Sequence, residues 1–391
     1  MFSRRTAWST TPSPFSAALD RLRARAPLLD LTVSDPTRVG FDHPPELYRA
    51  LIDDRSPIYE PDALGLPVAR EAIAARHRAR GDQLDAAQIC LTASTSEAYA
   101  YLLALLCDPG DQVMLPRPGY PLLRYLADLS AARLTAYPLA YDVAWHIDLP
   151  ALRRALEAAP RARALVVIAP SNPCGNYLDP DQLEQLDHIC AARDLALIID
   201  EVFYDYPQGA AQPPPSPLAT PRRALTFVIS GLSKVAALPQ LKLAWTIVAG
   251  PAELRDRALA RLELIADAHL SPSTLVQRAA PRLLAAAPAL QARILTRTRN
   301  NLAHLRERLR GSAVTLLTVE AGWTALLRLP GVDDLDDAAW ALHLAAEHRT
   351  LLQPGFFYDL QGVHLALSLI TPEPDIIEGT RRLLTAVAAH L

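Results

Sequence analysis

Six short apolar runs recur between residues 88 and 249: 88–93 (QICLTA), 112–115 (QVML), 164–169 (ALVVIA), 195–200 (LALIID), 224–230 (ALTFVIS) and 244–249 (AWTIVA). Runs of this length, bounded by Pro, Gly, Asn or Asp, suit strands buried on both faces of a sheet. Helical patterns separate several of them, at 96–107 (SEAYAYLLALLC) and 180–193 (PDQLEQLDHICAAR). The alternation predicts an α/β domain with a mostly parallel sheet. In such sheets ligands bind outside the carboxyl ends of the strands. The Pro-rich stretch 209–221 (GAAQPPPSPLATP) reads as an irregular loop. After about residue 275 the pattern changes. A long Ala/Arg/Leu helix over 275–310 precedes strands at 314–319 and 323–329. A helix near 335–348, a strand at 364–369 and a last helix from Glu373 follow. This reads as a smaller α+β lobe that packs with the N-terminal arm, and no internal repeat is visible.

The chain has 391 residues, half of them hydrophobic and 21% charged, so it can bury a large core with a second lobe. A net charge of −3 argues against a nucleic-acid surface. No apolar run reaches membrane-spanning length. Cys90, Cys107, Cys174 and Cys190 are scattered without a C-x-x-C pair, which suits reduced thiols with structural roles. The N-terminal MFSRRTAWSTTPSPFSAAL lacks acids until Asp20, but Pro12 and Pro14 are expected to break any amphipathic helix, and no apolar segment follows the twin Arg. It reads as the arm of a cytoplasmic protein.

Charge type changes the picture more than net charge. Only two of the 39 basic residues are lysines, Lys234 and Lys242, eight positions apart. In a chain that uses arginine for its other cations, retained lysines are candidates for chemistry that arginine cannot perform. A lysine amine can lose its proton and form an imine; a guanidinium does neither. Lys234 follows one strand-like run in SGLSK, Asp200 ends another, and Asn172 follows a third in APSNPCGNY. All three therefore fall on one edge of the predicted sheet. Singly, an Asn before Pro is a turn residue and an Asp ending a strand is a helix cap. Together they suit a planar, anionic, nitrogen-containing cofactor.

The segments YEPDALGLPVAREAIAARH, TASTSEAY, PRPGYPLL, APSNPCGNYL, IIDEVFYDY, SGLSKVAALPQLKLAW and HRTLLQPGFFYDL, in this order, resemble the class I/II aminotransferases of fold type I. These are enzymes of pyridoxal 5′-phosphate (PLP), and the likeness runs from about Leu29 to Leu384. It implies an aspartate aminotransferase-like fold with a central, mostly parallel seven-stranded sheet. The implied division is an arm with part of the small domain (1–45), a large PLP-binding domain (46–275) and a C-terminal small domain (276–391). It also implies roles. Lys234 would hold PLP as a Schiff base and then move the substrate proton. Asp200 would pair with the pyridine nitrogen, Asn172 would donate to the ring's phenolic oxygen, and Tyr120 would stack on the ring. Thr95 and Ser96 would bind the phosphate at a helix N-terminus, with Ser233 adding a hydroxyl. Tyr59 would reach the phosphate across a homodimer interface. Lys242 stands where the family usually carries a phosphate-binding arginine, and a lysine there keeps the charge but loses the two-pronged geometry.

Two further departures bear on chemistry. The family commonly reads D-x-x-Y at the ring-nitrogen aspartate, whereas here Phe203 occupies the tyrosine position and tyrosines follow at 204 and 206. Near the C-terminus, GVHLALSLI puts His364 where the resemblance implies an arginine on the substrate carboxylate. Either another arginine takes over, with Arg38 in SDPTRVGF a candidate, or the substrate lacks an α-carboxylate or binds it differently. Gly322, Trp323 and the aromatic Phe356, Phe357 and Tyr358 match segments that line the family's substrate entrance, although Trp and Phe also serve as core. The expected activity is amino-group transfer between an amino acid or amine and a keto or aldehyde acceptor, without a metal. The alternative is another PLP reaction, such as β-elimination or γ-replacement. A regulatory module fused to a DNA-binding domain does not suit an arm this short or a charge this acidic.

Overall fold

A computed structural model describes residues 1–209, 213–332 and 335–391. The arm forms α1 (Pro14–Arg25), in which Pro14 occupies the first turn and Ser13 caps the Ser16 amide. The expectation that Pro14 breaks a helix is thereby corrected. At the first helical position its missing N–H has no intrahelical partner to lose, and its fixed φ suits the start. A two-residue strand β1 (Leu29–Asp30), α2 (Pro45–Arg49) and α3 (Pro67–Ala79) lead into the sheet region. There β2 (Ile89–Thr92), α4 (Thr95–Leu106), β3 (Gln112–Arg117), α5 (Leu122–Leu129) and β4 (Arg133–Tyr141) follow in turn. Next come β5 (Trp145–Ile147), α6 (Leu149–Glu157), β6 (Ala162–Ile168), α7 (Pro180–Ala192) and β7 (Ala196–Asp200). The series ends with β8 (Thr226–Gly231), the single-turn α8 (Leu232–Val235), β9 (Ala244–Ala249) and α9 (Ala252–Asp267). Residues 210–212 of the Pro-rich stretch lie outside the described residues.

The main sheet has eight strands in the order β2-β9-β8-β7-β6-β3-β4-β5. Its central pairs are parallel, while β9 runs antiparallel to β2 and β8, and β5 antiparallel to β4. The eighth strand beyond the expected seven is the three-residue β5 at the edge. β4 carries Pro138 and a mixed burial pattern, which hides it from an apolar-run reading. Alternate residues of the central strands feed two cores. Leu165, Val167, Leu197, Ile199 and Val228 face one side. Val166, Ile198, Phe227 and Ile229 face the other, against α4 and α9. This period-two sorting of unbroken apolar runs is why they fold as strands covered by helices on both faces.

The long α10 (Thr274–Arg308) runs through two internal prolines, Pro281 and Pro288. Each proline costs about 3 kcal/mol in a helix interior. The seven large aliphatic side chains that α10 buries contribute roughly 10 kcal/mol or more, which outweighs both. Beyond it, β10 (Thr315–Leu316), β11 (Thr324–Arg328), α11 (Asp337–Glu347), β12 (Thr350–Leu351), β13 (Gln353–Pro354), β14 (His364–Ser368) and α12 (Glu373–Ala388) complete the chain. The four-stranded antiparallel sheet β10-β11-β14-β13 packs on these helices around Trp340 and Leu365. The arm joins this unit through the parallel pair β1–β12. None of the described helices is long and apolar enough to cross a membrane.

Candidate active site

The strand order reverses between β3 and β6, where the chain runs outward through β4 on one side and through β7 and β8 on the other. A crevice opens at such a switch point, outside the carboxyl ends of the strands. Tyr120 follows β3 there, Asn172 follows β6, Asp200 ends β7, and Lys234 follows β8 on α8. The double antiparallel step through β9 makes β2 run in the same sense as β8, so the β2–α4 turn delivers Thr95, Ser96 and Tyr99 to the same edge. With Ser34, Trp323 and Thr324 these residues line one cavity of about 240 Å³.

Local folding explains each placement. Ser94 caps the Glu97 amide at 3.2 Å, and neither the Thr95 nor the Ser96 amide has a partner among the described residues. The N-terminus of α4 is thus left with free donors and a positive dipole end. Asn172 Oδ1 accepts from Thr324 Oγ1 at 3.2 Å, which leaves its amide nitrogen free to donate. Lys234 is fixed through its backbone, because the buried Tyr206 hydroxyl donates to the Lys234 carbonyl at 2.6 Å. Gln291 Nε2 donates to the next carbonyl, of Val235, at 2.7 Å. The Lys234 amine lies 4.9 Å from the Trp323 ring centroid and 5.4 Å from that of Phe203.

Two ionisable groups are pushed in opposite directions. Burial lowers the Lys234 amine to about 8, against the opposing pull of Asp35 and Asp200. Burial raises Asp200 to about 6, against the Val202 amide and the Tyr99 hydroxyl, which donate to its two oxygens. These two are the only charged side chains lining the cavity among the described residues.

Six of the candidate residues therefore come together: Lys234, Asp200, Asn172, Tyr120, Thr95 and Ser96. The others do not line this cavity. Ser233 is half-buried on α8. Lys242 is exposed with a left-handed backbone (φ 55°) just before β9, where the Ala244–Thr92 register sets it beside the β2–α4 turn. Tyr59 is 75% exposed on the surface. Arg38 is exposed on a 3-10 turn (Pro36–Arg38). His364 is buried opposite Arg328, at the end of β14 away from Thr324, with its ring against Gly362. Strand register is the reason. Thr324, which lines the cavity, pairs with Ser368, so His364 sits four residues back along the strand. Phe357 and Phe356 wall an adjoining cavity of about 980 Å³, and both cavities share Tyr120 and Leu122. Phe203 lines the site, while Tyr204 donates to the Pro214 carbonyl and Tyr206 to Lys234, so neither neighbouring tyrosine offers its hydroxyl there. The apolar-run reading missed Tyr99, Ser34, Asp35 and Thr324. Only Tyr99 carried a signal, since it lies three to four residues after Thr95 and Ser96 and shares their helix face.

A family model described as aminotransferase class I and II matches residues 28–369, and the chain belongs to that family. The cofactor of class I/II aminotransferases is PLP. Human tyrosine aminotransferase is 27% identical over 311 residues, 74% of this chain and 66% of the human protein. The chain thus spans about two thirds of that relative's length. A valine–pyruvate aminotransferase of Mycobacterium tuberculosis is 27% identical over 379 residues, 94% of this chain and 93% of that protein. In fold, the chain matches an alanine aminotransferase of Pyrococcus furiosus with a TM-score of 0.90 at 21% identity, over the whole of both chains. A Thermus thermophilus aspartate aminotransferase mutant gives 0.85 at 22% identity, over 98% of this chain and 99% of that one.

Proposed function

We propose that this protein is an aminotransferase that moves an amino group from an amino acid or amine to a keto or aldehyde acceptor. The observation that carries the reading is the pairing, in one cavity, of a half-buried lysine, its amine lowered to about 8, with a buried carboxylate and a helix N-terminus with free donors. That donor set fits PLP. The free Thr95 and Ser96 amides and hydroxyls would take its phosphate. Asp200 would take the protonated ring nitrogen, and the Asn172 amide the phenolic oxygen. Tyr120, 44% exposed, would cover the ring face. Lys234 Nζ would be the covalent attachment point. When bound, PLP supplies an electron sink for the substrate carbon that loses its proton.

The chain's own part is proton handling and positioning. An amine near 8 is neutral in a useful fraction at physiological pH, so Lys234 Nζ can both take a proton and return it. The Tyr206 and Gln291 hydrogen bonds fix the backbone from which it swings. The Phe203 and Trp323 rings flank the amine and make its surroundings less polar. Ser233 and Lys242 would extend the phosphate site, and the closeness of Lys242 to the β2–α4 turn supports this. Tyr59 would reach the phosphate of a partner subunit in a homodimer, which its surface position favours. Residues 46–275 would form the large domain, and residues 1–45 and 276–391 the small one. No cation other than Lys234 lines the cavity among the described residues, which favours a substrate amine whose carboxylate, if present, is held without Arg38 or His364.

The test is a half-reaction. PLP-loaded protein is mixed with a panel of amines and amino acids, and the cofactor is extracted. Amino-group transfer leaves pyridoxamine phosphate in amounts equal to the keto or aldehyde product. Recovery of PLP with a released fragment would replace this reading with elimination.

A further inference from the structure

Tyr99 sits on α4 one turn beyond Thr95 and Ser96 and is fully buried. Its hydroxyl donates to Asp200 Oδ2 at 3.1 Å, while the Val202 amide donates to Oδ1 at 3.2 Å. Each oxygen of a buried carboxylate thus carries one fixed donor. A carboxylate that accepts hydrogen bonds is favoured in its ionised form, and in low dielectric each such bond is strong. Burial, with the Asp200 charge beside it, holds the Tyr99 hydroxyl well above its ordinary range, so Tyr99 stays a donor at every working pH. The other groups that face this pair are few. The Lys234 ammonium on α8 disfavours protonation of Asp200, and the carboxylate of Glu201, next along the chain, favours it. Tyr137 on β4 lies near Tyr99, with its own hydroxyl committed to the Val166 carbonyl at 2.8 Å.

We infer that Tyr99 is a positioning residue for PLP, whose hydroxyl aims the Asp200 carboxylate at the ring nitrogen and keeps it ionised. One helix then serves both ends of the cofactor. The first turn of α4 would offer donors to the phosphate, and a residue one turn on would set the carboxylate for the ring nitrogen. The inference rests on the reading of the cavity as a PLP site.

The experiment measures the affinity of the full-length apoenzyme for PLP between pH 5 and 8.5, in wild type, Tyr99→Phe and Asp200→Asn. The ionisations of PLP itself are common to all three. Loss of one hydrogen bond to a charged group should move the acidic limb of the binding curve in Y99F upward by about one pH unit. Affinity near pH 6 should then fall about tenfold, and much less at pH 8.5. Adding Y99F to D200N should shift nothing further. A Y99F curve lowered equally at all pH values, or not at all, would overturn the inference, because a merely packing tyrosine cannot move the midpoint. If Y99F does not fold, 3-fluorotyrosine at position 99 keeps the packing and donates more strongly. The limb should then move to lower pH, and an unmoved limb counts against the inference. If wild type fails to bind PLP, or D200N binds with the wild-type pH profile, the site assignment itself fails and takes this inference with it.

Discussion

Replacing the half-buried Lys234 by methionine should make the protein more stable while abolishing its chemistry. A lysine that titrates near 8 in the folded protein and 10.5 unfolded prefers to be neutral inside. Below pH 8 folding must therefore bury a charge or give up a proton, a cost of about 3 kcal/mol. The sign follows from the lowered folded-state value. The cost is fully present below pH 8, shrinks as pH rises, and is gone above about 10.5. Methionine has a similar length and no charge, and it packs against Phe203 and Trp323 as the lysine stem does. The apoprotein of Lys234→Met should thus melt about 4 °C above wild type at pH 7, taking the unfolding entropy of a chain this long. Melting curves of both apoproteins between pH 6 and 10 provide the assay, and the gap should close as pH approaches 10. A variant that melts below wild type at pH 7, or a gap that does not change with pH, would refute the claim that the amine is held against burial.

Other expectations follow from single contacts. Tyr206→Phe leaves the Lys234 carbonyl without its partner and should cost about 1–3 kcal/mol in denaturant unfolding, with a drop in turnover larger than any change in KM. Phe203→Tyr places a hydroxyl in the cavity wall and should lower the pH midpoint of the bound cofactor's absorbance change; an unmoved midpoint would show that position 203 does not reach the ring oxygen. Arg38→Ala should leave the ratio of kcat/KM for paired amines with and without an α-carboxylate unchanged, because Arg38 is exposed away from the cavity lining; a loss confined to the carboxylated member would make it the clamp. Lys242→Arg should weaken PLP binding if the compact ammonium matters beside the β2–α4 turn, and an unchanged Kd would remove that role.

Much of the architecture was legible because the central strands are buried on both faces. β7 and β8 are unbroken apolar runs, and their carboxyl ends alone place Asp200 and Lys234 on one edge. β4 escaped, since a strand near the sheet margin with one exposed side and an internal proline carries no such run. The site followed the same division. Residues next to strand ends, such as Asn172 and Lys234, could be found from sequence. Tyr99 carried a signal only through its helix spacing from Thr95 and Ser96, and Ser34 and Thr324 carried none, because the place of Thr324 in the cavity depends on the register of β11 with β14. His364 shows the limit from the other side. A motif position within a strand names a neighbourhood, but the pairing of Thr324 with Ser368 decides which residue faces the cavity.

Attachment of the cofactor at Lys234 is open to a direct test. The chain holds only two lysines, so borohydride reduction of the PLP-loaded protein, followed by peptide mass spectrometry, gives an answer with two possible addresses. One phosphopyridoxyl group per chain on the peptide containing Lys234, with Lys242 unmodified, is the predicted result. A label on Lys242, or none on either lysine, would contradict it.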